Sequence, residues 1–373
     1  MARPEHEALA RVFASATLLG PPYGEKLVRL IEHLFSTEEA AVAVHLPYYR
    51  PASAERIARR AKMPVESAVP LLGEMARRRV IFGNDKGYGL LPLIPGMFEY
   101  MLQTGVDTPW HREYARLLLD LYATGFAHSF GHRRSAAIRN IPVGAALDDR
   151  SRPLARDAVE EMIERNDPLG VLNVCQCRQS MRFVGQDCKR ATPEDGCLVF
   201  GSRFARSIEE KGNGRRVSRE EMREIVAERV EKKLVFMTGN VGAGSPNAIC
   251  TCCDCCCHGL EIFNEYGSAW LMAAPRFIAR VNEDICTRCG KCAGACNTHA
   301  HAMKDKKHRF DPARCIGCGL CVLACKEGAI ALELNPRWRP PSSDFRSLAL
   351  RLLPGSIYSW LRTSVERRFG GGQ

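Results

Sequence analysis

Apolar residues recur at helical spacing from Tyr23 onward: Leu27, Leu30, Ile31 and Leu34 predict one amphipathic helix. Ser36-Thr-Glu-Glu39 has the spacing of a capping box and opens a second helix through Ala43 and Val44. Ser53 heads a short helix carrying Ile57, Ala58 and Ala61, and Met63-Pro64 turns into another through Val69, Leu71, Leu72 and Met75. Val80-Ile-Phe82, a turn over residues 83–87, and Tyr88-Gly-Leu90-Leu91 then read as a β-hairpin. A longer amphipathic helix is expected from Trp110 to about Phe130, and the polar, proline-punctuated residues 139–153 read as a linker.

The pattern changes after residue 153. A helix from Ala155 to Arg165, a buried strand at Gly170–Val174 and a helix from Val199 to Glu210 are expected. Ser218-Arg-Glu-Glu221 boxes a helix through Ile225, Val226 and Val230, followed by a strand at Leu234–Met237 and a short helix from Gly259 to Phe263. Arg276–Val281 and Ala329–Leu334 alternate apolar and other residues, as paired strands do. The tail mixes Phe345, Leu348, Leu350, Leu353, Ile357 and Trp360 with Arg346, Arg351 and Arg362, and Pro354-Gly355 is expected to interrupt it. Such a tail suits folding back on the body or peripheral contact with a membrane.

The chain is an ordinary globular composition, with 373 residues, 46% hydrophobic and 25% charged, which suggests two to four domains. Met1-Ala-Arg-Pro-Glu lacks the apolar core of an export signal, and the longest uncharged apolar run, Gly87–Phe98, is short and holds Pro92 and Pro95. A cytoplasmic location is therefore expected, without a transmembrane segment. The formal charge of +11 suits an acidic redox partner, nucleic acid or a membrane surface, and alone selects none of them. No phosphate-cradling or dinucleotide fingerprint and no nucleophile–base pairing stands out.

The eighteen cysteines change the picture. In a reducing compartment they read as metal ligands rather than disulfides. Cys286, Cys289, Cys292 and Cys296 form one C-x2-C-x2-C-x3-C run, and Cys315, Cys318, Cys321 and Cys325 form another. This spacing wraps three thiolates round one [4Fe–4S] cube and sends the fourth, at the start of a helix, to the other cube. Cys286, Cys289, Cys292 and Cys325 are thus assigned to one cluster, and Cys315, Cys318, Cys321 and Cys296 to the other. Gly290, Gly294, Gly317 and Gly319 allow the tight turns. Residues 275–335 resemble the two-cluster bacterial ferredoxin domain, except that Asn297 and Lys326 stand where a proline usually follows the fourth cysteine. Lys304-Asp-Lys-Lys-His308, with His299 and His301 nearby, reads as a solvated hairpin where an acidic partner could dock.

A second cysteine set lies upstream: Cys175, Cys177, Cys188 and Cys197, then Cys250, Cys252, Cys253, Cys255, Cys256 and Cys257. Neighbouring extended residues face opposite ways, so the six of the second run cannot all bind one cube. At least one further Fe–S cluster is expected from the first four together with part of the second run; zinc, or packed reduced thiols, are the alternatives. His258 is either a ligand or a helix cap.

Residues 23–92 resemble a winged helix-turn-helix, although Glu66, Glu74 and Pro70 suit DNA poorly and favour protein docking. The whole layout resembles a group of prokaryotic proteins described only as 4Fe–4S-binding. The fold class expected is multidomain α+β: a helical winged-helix-like domain (1–150), a small α/β cysteine-rich metal-binding domain (151–272), a two-[4Fe–4S] ferredoxin-like domain (273–335) and a basic amphipathic tail (336–373). The function expected is single-electron transfer through two [4Fe–4S] clusters to or from a middle metal centre or a partner oxidoreductase. The alternatives are a redox-sensing winged-helix transcription regulator and an Fe–S reductase subunit; any enzymatic role would be that of an oxidoreductase.

Overall fold

A computed structural model describes residues 4–18, 20–48, 50–124, 135–147, 158–201, 208–242, 248–266 and 271–369. They fall into two compact units, residues 1–132 with 183–185 and 356–373, and residues 133–182 with 186–355. The stretches expected as a middle domain and a ferredoxin-like domain lie together in the second unit.

The first unit is helical. The apolar stripes of α1 (Pro4–Phe13) and α2 (Glu25–Leu34) supply Leu9, Phe13, Leu27, Leu30, Ile31 and Leu34, all fully buried, and α3 (Thr37–Ala43) adds Ala40, Val42 and Ala43. α3 opens with the expected capping box: Ser36 accepts from the Glu39 amide, and the Glu39 carboxylate accepts from the Ser36 amide at 2.8 Å. Next come α4 (Ala54–Ala61), α5 (Val65–Arg77) and the hairpin of β1 (Phe82–Asn84) with β2 (Gly87–Gly89). The order helix, helix, helix, hairpin is the one read from the sequence, and α5 stays helical through Pro70. After α6 (Phe98–Leu102), α7 runs from Pro109 to Tyr122 with Thr108 as its cap. Residues 125–130 of its expected span lie outside the described residues.

A six-stranded antiparallel sheet, in the order β3-β7-β8-β5-β4-β6, organises the second unit. Its strands are β3 (Ile138–Ile141), β4 (Leu169–Leu172), β5 (Leu198–Phe200), β6 (Gly214–Val217), β7 (Val235–Gly239) and β8 (Ala248–Cys252). One face, carrying Ile141, Leu169, Leu198, Phe236 and Ile249, packs on α8 (Val159–Arg165) and α10 (Arg219–Glu231), with α9 (Gln176–Phe183) lying between them in sequence. The other face, with Val235, Met237 and Cys252, packs on Leu260 and Phe263 of α11 (His258–Tyr266) and on Ala295, Ile316 and Leu320.

Two expectations fail here for the same reason. Residues 138–141 are an edge strand rather than linker, because β7 offers them a complete ladder and buried Arg139 donates to the Val241 carbonyl at 2.8 Å. Residues 198–200 are a central strand rather than a helix start, because β8 and β4 pair with them from both sides. Sheet pairing overrides a short apolar run whose period is ambiguous. The tail differs too. α14 (Phe345–Phe369) continues through Pro354, since Ser356 and Ser359 are buried and Trp360 donates to the Ala14 carbonyl at 3.1 Å. Packing outweighs the lost helical bond. No helix among the described residues is long and apolar enough to cross a membrane.

Burial lowers the imidazole pKa of His33, stacked at 4.9 Å on Trp110, and of His111 below the ordinary 6.5. The folded first unit thus prefers both rings neutral, while the unfolded chain takes up their protons near pH 6.5. Their contribution to stability is complete above that pH and declines as the pH falls below it. Urea midpoints followed by tryptophan fluorescence should fall between about pH 7.5 and 5.5, with a smaller fall in a His33→Gln/His111→Gln double variant.

Candidate metal centres

Strands β9 (Phe277–Val281) and β12 (Ile330–Leu334) pair antiparallel, Phe277 opposite Leu334, and frame two short helices, α12 (Lys291–Ala295) and α13 (Leu320–Ala324). Two recesses open here. One, of about 380 Å³, is lined by Cys286, Cys289, Cys292 and Cys325; the other, of about 310 Å³, by Cys296, Cys315, Cys318 and Cys321. In each, the fourth cysteine of one run faces the first three of the other. Gly317 (φ 66°) and Gly319 (φ 88°) are required: a Cβ would lie 2.1 Å from the Phe277 carbonyl oxygen at the first and 2.4 Å from the Ala146 Cβ at the second. Gly294 is not; it sits inside α12 with open space around its Cα.

The donor chemistry of both recesses fits a cube. The Lys291 amide donates to Cys289 and holds its thiol below the ordinary value. The Ala300 amide lies 3.2 Å from the Cys296 sulfur. Burial pushes Cys318 up to about 12 and Cys321 higher still, so these thiols ionise only with a cation among them.

Between the recesses lies a feature that the sequence pattern misses. His301 and His308 meet diagonally across the hairpin of β10 (His301–Lys304) and β11 (Lys307–Phe310), His301 lying opposite Phe310 and His308 opposite Met303. They are not solvated: they are 3% and 8% exposed, with His301 Nδ1 at 3.0 Å from His308 Nε2. His301 lines the Cys318 recess and His308 the Cys289 recess. Burial, then the neighbouring His308, lowers the His301 pKa to about 4, so the ring is neutral near pH 7. Outside this pair, Lys304, Lys306 and Lys307 are exposed as expected; Arg288, Cys289, Lys291 and Glu327, which line the Cys289 recess, are exposed as well.

The remaining cysteines come from both upstream segments and meet in two groups. Cys188, Cys253, Cys255 and Cys256 draw their sulfurs within 4.8 Å of one another. Cys175 and Cys177, at the start of α9, join Cys197, Cys250, Cys252 and Cys257 through the contacts 175–177, 177–257, 257–252, 252–250 and 250–197. The alternation of β8 explains the division. Cys250 and Cys252 share one face of the strand, and the turn after it reverses direction before Cys257 opens α11. Contact with Cys177, aided by the Arg178 guanidinium, lowers Cys175 to about 7 against its burial.

Arg178, 1% exposed, serves both groups. Burial opposes its charge, but Cys175, Cys253, Cys252 and Cys188 more than offset this and raise its pKa. Its guanidinium donates to the Asp195 carbonyl at 2.8 Å and to the Thr251 carbonyl at 2.6 Å. His258 is not aimed at a metal: its ring nitrogens lie 3.2 Å from Ser180 Oγ and 3.1 Å from Glu261 Oε2. Asn297, in the usual proline position, joins the two parts of the unit. It is 1% exposed, accepts from the Asp254 amide at 3.1 Å and donates to the Lys233 carbonyl at 2.8 Å.

Thiols grouped in this way are those of an iron–sulfur protein. Residues 278–326 match the family model of a 4Fe–4S dicluster domain. Over 73 residues the chain is 26% identical to the archaeal glutamate synthase [NADPH] of Archaeoglobus fulgidus, a match covering 19% of this chain and 14% of that enzyme. No solved structure matches the chain.

Replacing Asn297 by Ala strands the Asp254 amide and the Lys233 carbonyl. We expect a loss of about 1–3 kcal/mol in chemical unfolding of the second unit, with iron content retained; an unchanged midpoint would show that this side chain does not hold the parts together.

Proposed function

We propose that the protein passes single electrons through two [4Fe–4S] clusters, one held by Cys286, Cys289, Cys292 and Cys325 and the other by Cys315, Cys318, Cys321 and Cys296. The observation that supports the reading is the exchange of fourth cysteines between recesses, an arrangement that would hold two cubes side by side. Each cube would supply one-electron chemistry with little rearrangement; the chain's own part is to set potential and access. His301 and His308 position polar ring atoms between the clusters, and the amides at Cys289 and Cys296 stabilise thiolate charge.

Electrons reach or leave a further iron–sulfur centre at the six-thiol group of Cys175, Cys177, Cys197, Cys250, Cys252 and Cys257, beside the Arg178 cation, or a partner oxidoreductase. The Cys289 recess, lined by exposed Arg288 and Lys291 as well as Glu327, with exposed Lys304, Lys306 and Lys307 on the β10–β11 hairpin that also carries His308, suits an acidic partner surface. For the first unit we propose a protein-docking role. A redox-sensing regulator has the helix–helix–helix–hairpin order of residues 37–89 in its favour, but Glu66 is exposed on α5 and Glu74 is engaged by Arg77 at 2.6 Å.

Anaerobically purified protein should hold about eight irons and eight labile sulfides in the dicluster segment alone, and show spin-coupled EPR signals after dithionite reduction. Cys289→Ala and Cys318→Ala should each remove about four irons. Colourless protein, or either variant with undiminished reducible iron, would overturn the reading.

A further inference from the structure

The four sulfurs of Cys188, Cys253, Cys255 and Cys256 are too close together for a cube. Cys188 lies 3.5 Å from Cys253 and 3.6 Å from Cys255, and Cys255 lies 3.8 Å from Cys256. Four thiolates sharing one tetrahedral ion at a metal–sulfur distance of about 2.3 Å stand about 3.8 Å apart. In a cube each thiolate binds a different iron, and the inorganic core keeps the four apart. Among the described residues neither dicluster quartet draws within the 4.8 Å that this group satisfies.

The surroundings suit a closed anionic site. Cys253 and Cys256 are buried and Cys188 and Cys255 half-buried. Four thiolates on a divalent ion leave a net charge of about −2, and two cations stand beside it. Arg178 feels the thiols of Cys253 and Cys188. Arg190 forks onto Asp254, between two of the four cysteines, at 2.7 and 3.2 Å. That fork ties the loop bearing Cys188 to the turn bearing the other three.

We propose that Cys188, Cys253, Cys255 and Cys256 bind a single soft divalent ion, zinc foremost, as a closed tetrathiolate site distinct from both cubes and from the six-thiol group. The inference rests on the electron-transfer reading only in assigning the other cysteines to iron–sulfur centres. With four protein ligands and no open position, the site is a structural clip. It fixes the turn whose Asp254 amide binds Asn297, and so holds the dicluster segment on the sheet.

The test is zinc, iron and sulfide analysis of the full chain with zinc K-edge absorption. Wild type should hold one zinc per chain with four sulfur neighbours at about 2.3 Å and no metal–metal distance. Cys255→Ser should lose most of this zinc, or release it to a chelator at least about tenfold faster, with iron and sulfide unchanged. Cys255→His should keep it with three sulfurs and one nitrogen, which guards against mere misfolding. One sulfide-free iron at the same four ligands, lost in the same variant, supports the same single-ion site. Loss of about four irons and four sulfides from Cys255→Ser, or no change in any metal, overturns the proposal. Wild type lacking labile sulfide but keeping the zinc shell would sink the electron-transfer reading and leave this one standing.

Discussion

Buried thiolates repel one another and are costly to desolvate, so a structure that concentrates them must also supply positive charge. The second unit is built round that requirement. Its sheet is a platform: Cys197 immediately precedes β5, Cys250 and Cys252 lie on β8, and the starts of α9 and α11 deliver Cys175, Cys177 and Cys257. Arg178 is placed where it acts on two thiol groups at once, and backbone carbonyls rather than carboxylates fix its orientation. The guanidinium charge is therefore left for the sulfurs. Asp195, whose own carboxylate is buried, is matched separately by Arg229 and Lys232.

The same constraint is met differently in the dicluster segment. There the cations around Cys289 are exposed and the counter-charges within are backbone amides, so the recess stays open to a partner. At the Cys318 recess burial dominates, and the thiols strongly favour their protonated form until a metal replaces the proton. Two cubes in unlike surroundings would differ in potential, since exposure and hydrogen bonds to sulfur set it. His301, neutral near pH 7 and 3.0 Å from His308, adds a polarisable ring where a charged side chain would be costly.

Asn297 shows how the segment is joined to the rest. A proline there would offer no side-chain donor or acceptor, whereas the asparagine amide spans from the Asp254 amide to the Lys233 carbonyl. A small change at the edge of a familiar motif thus ties the dicluster part to the cysteine-rich turn next door.

Much of this was legible in the residues alone. The two C-x2-C-x2-C-x3-C runs specified which thiols share a recess, because short loops of fixed length leave few ways to wrap a cube. The strongly periodic helices, the capping box at Ser36 and the N-cap at Ser218 stood at their expected positions, since those signals are local. Glu221, however, pairs with Arg215 rather than closing the second box. What the sequence did not determine depended on partners far along the chain. Residues 138–141 and 198–200 became strands because other strands reached them, and His301 and His308 were buried because the hairpin folds inward. The sorting of ten upstream cysteines into a group of four and a group of six was likewise decided only by tertiary packing. Sequence spacing constrains ligands in one loop, but which loops meet is set by the sheet that carries them.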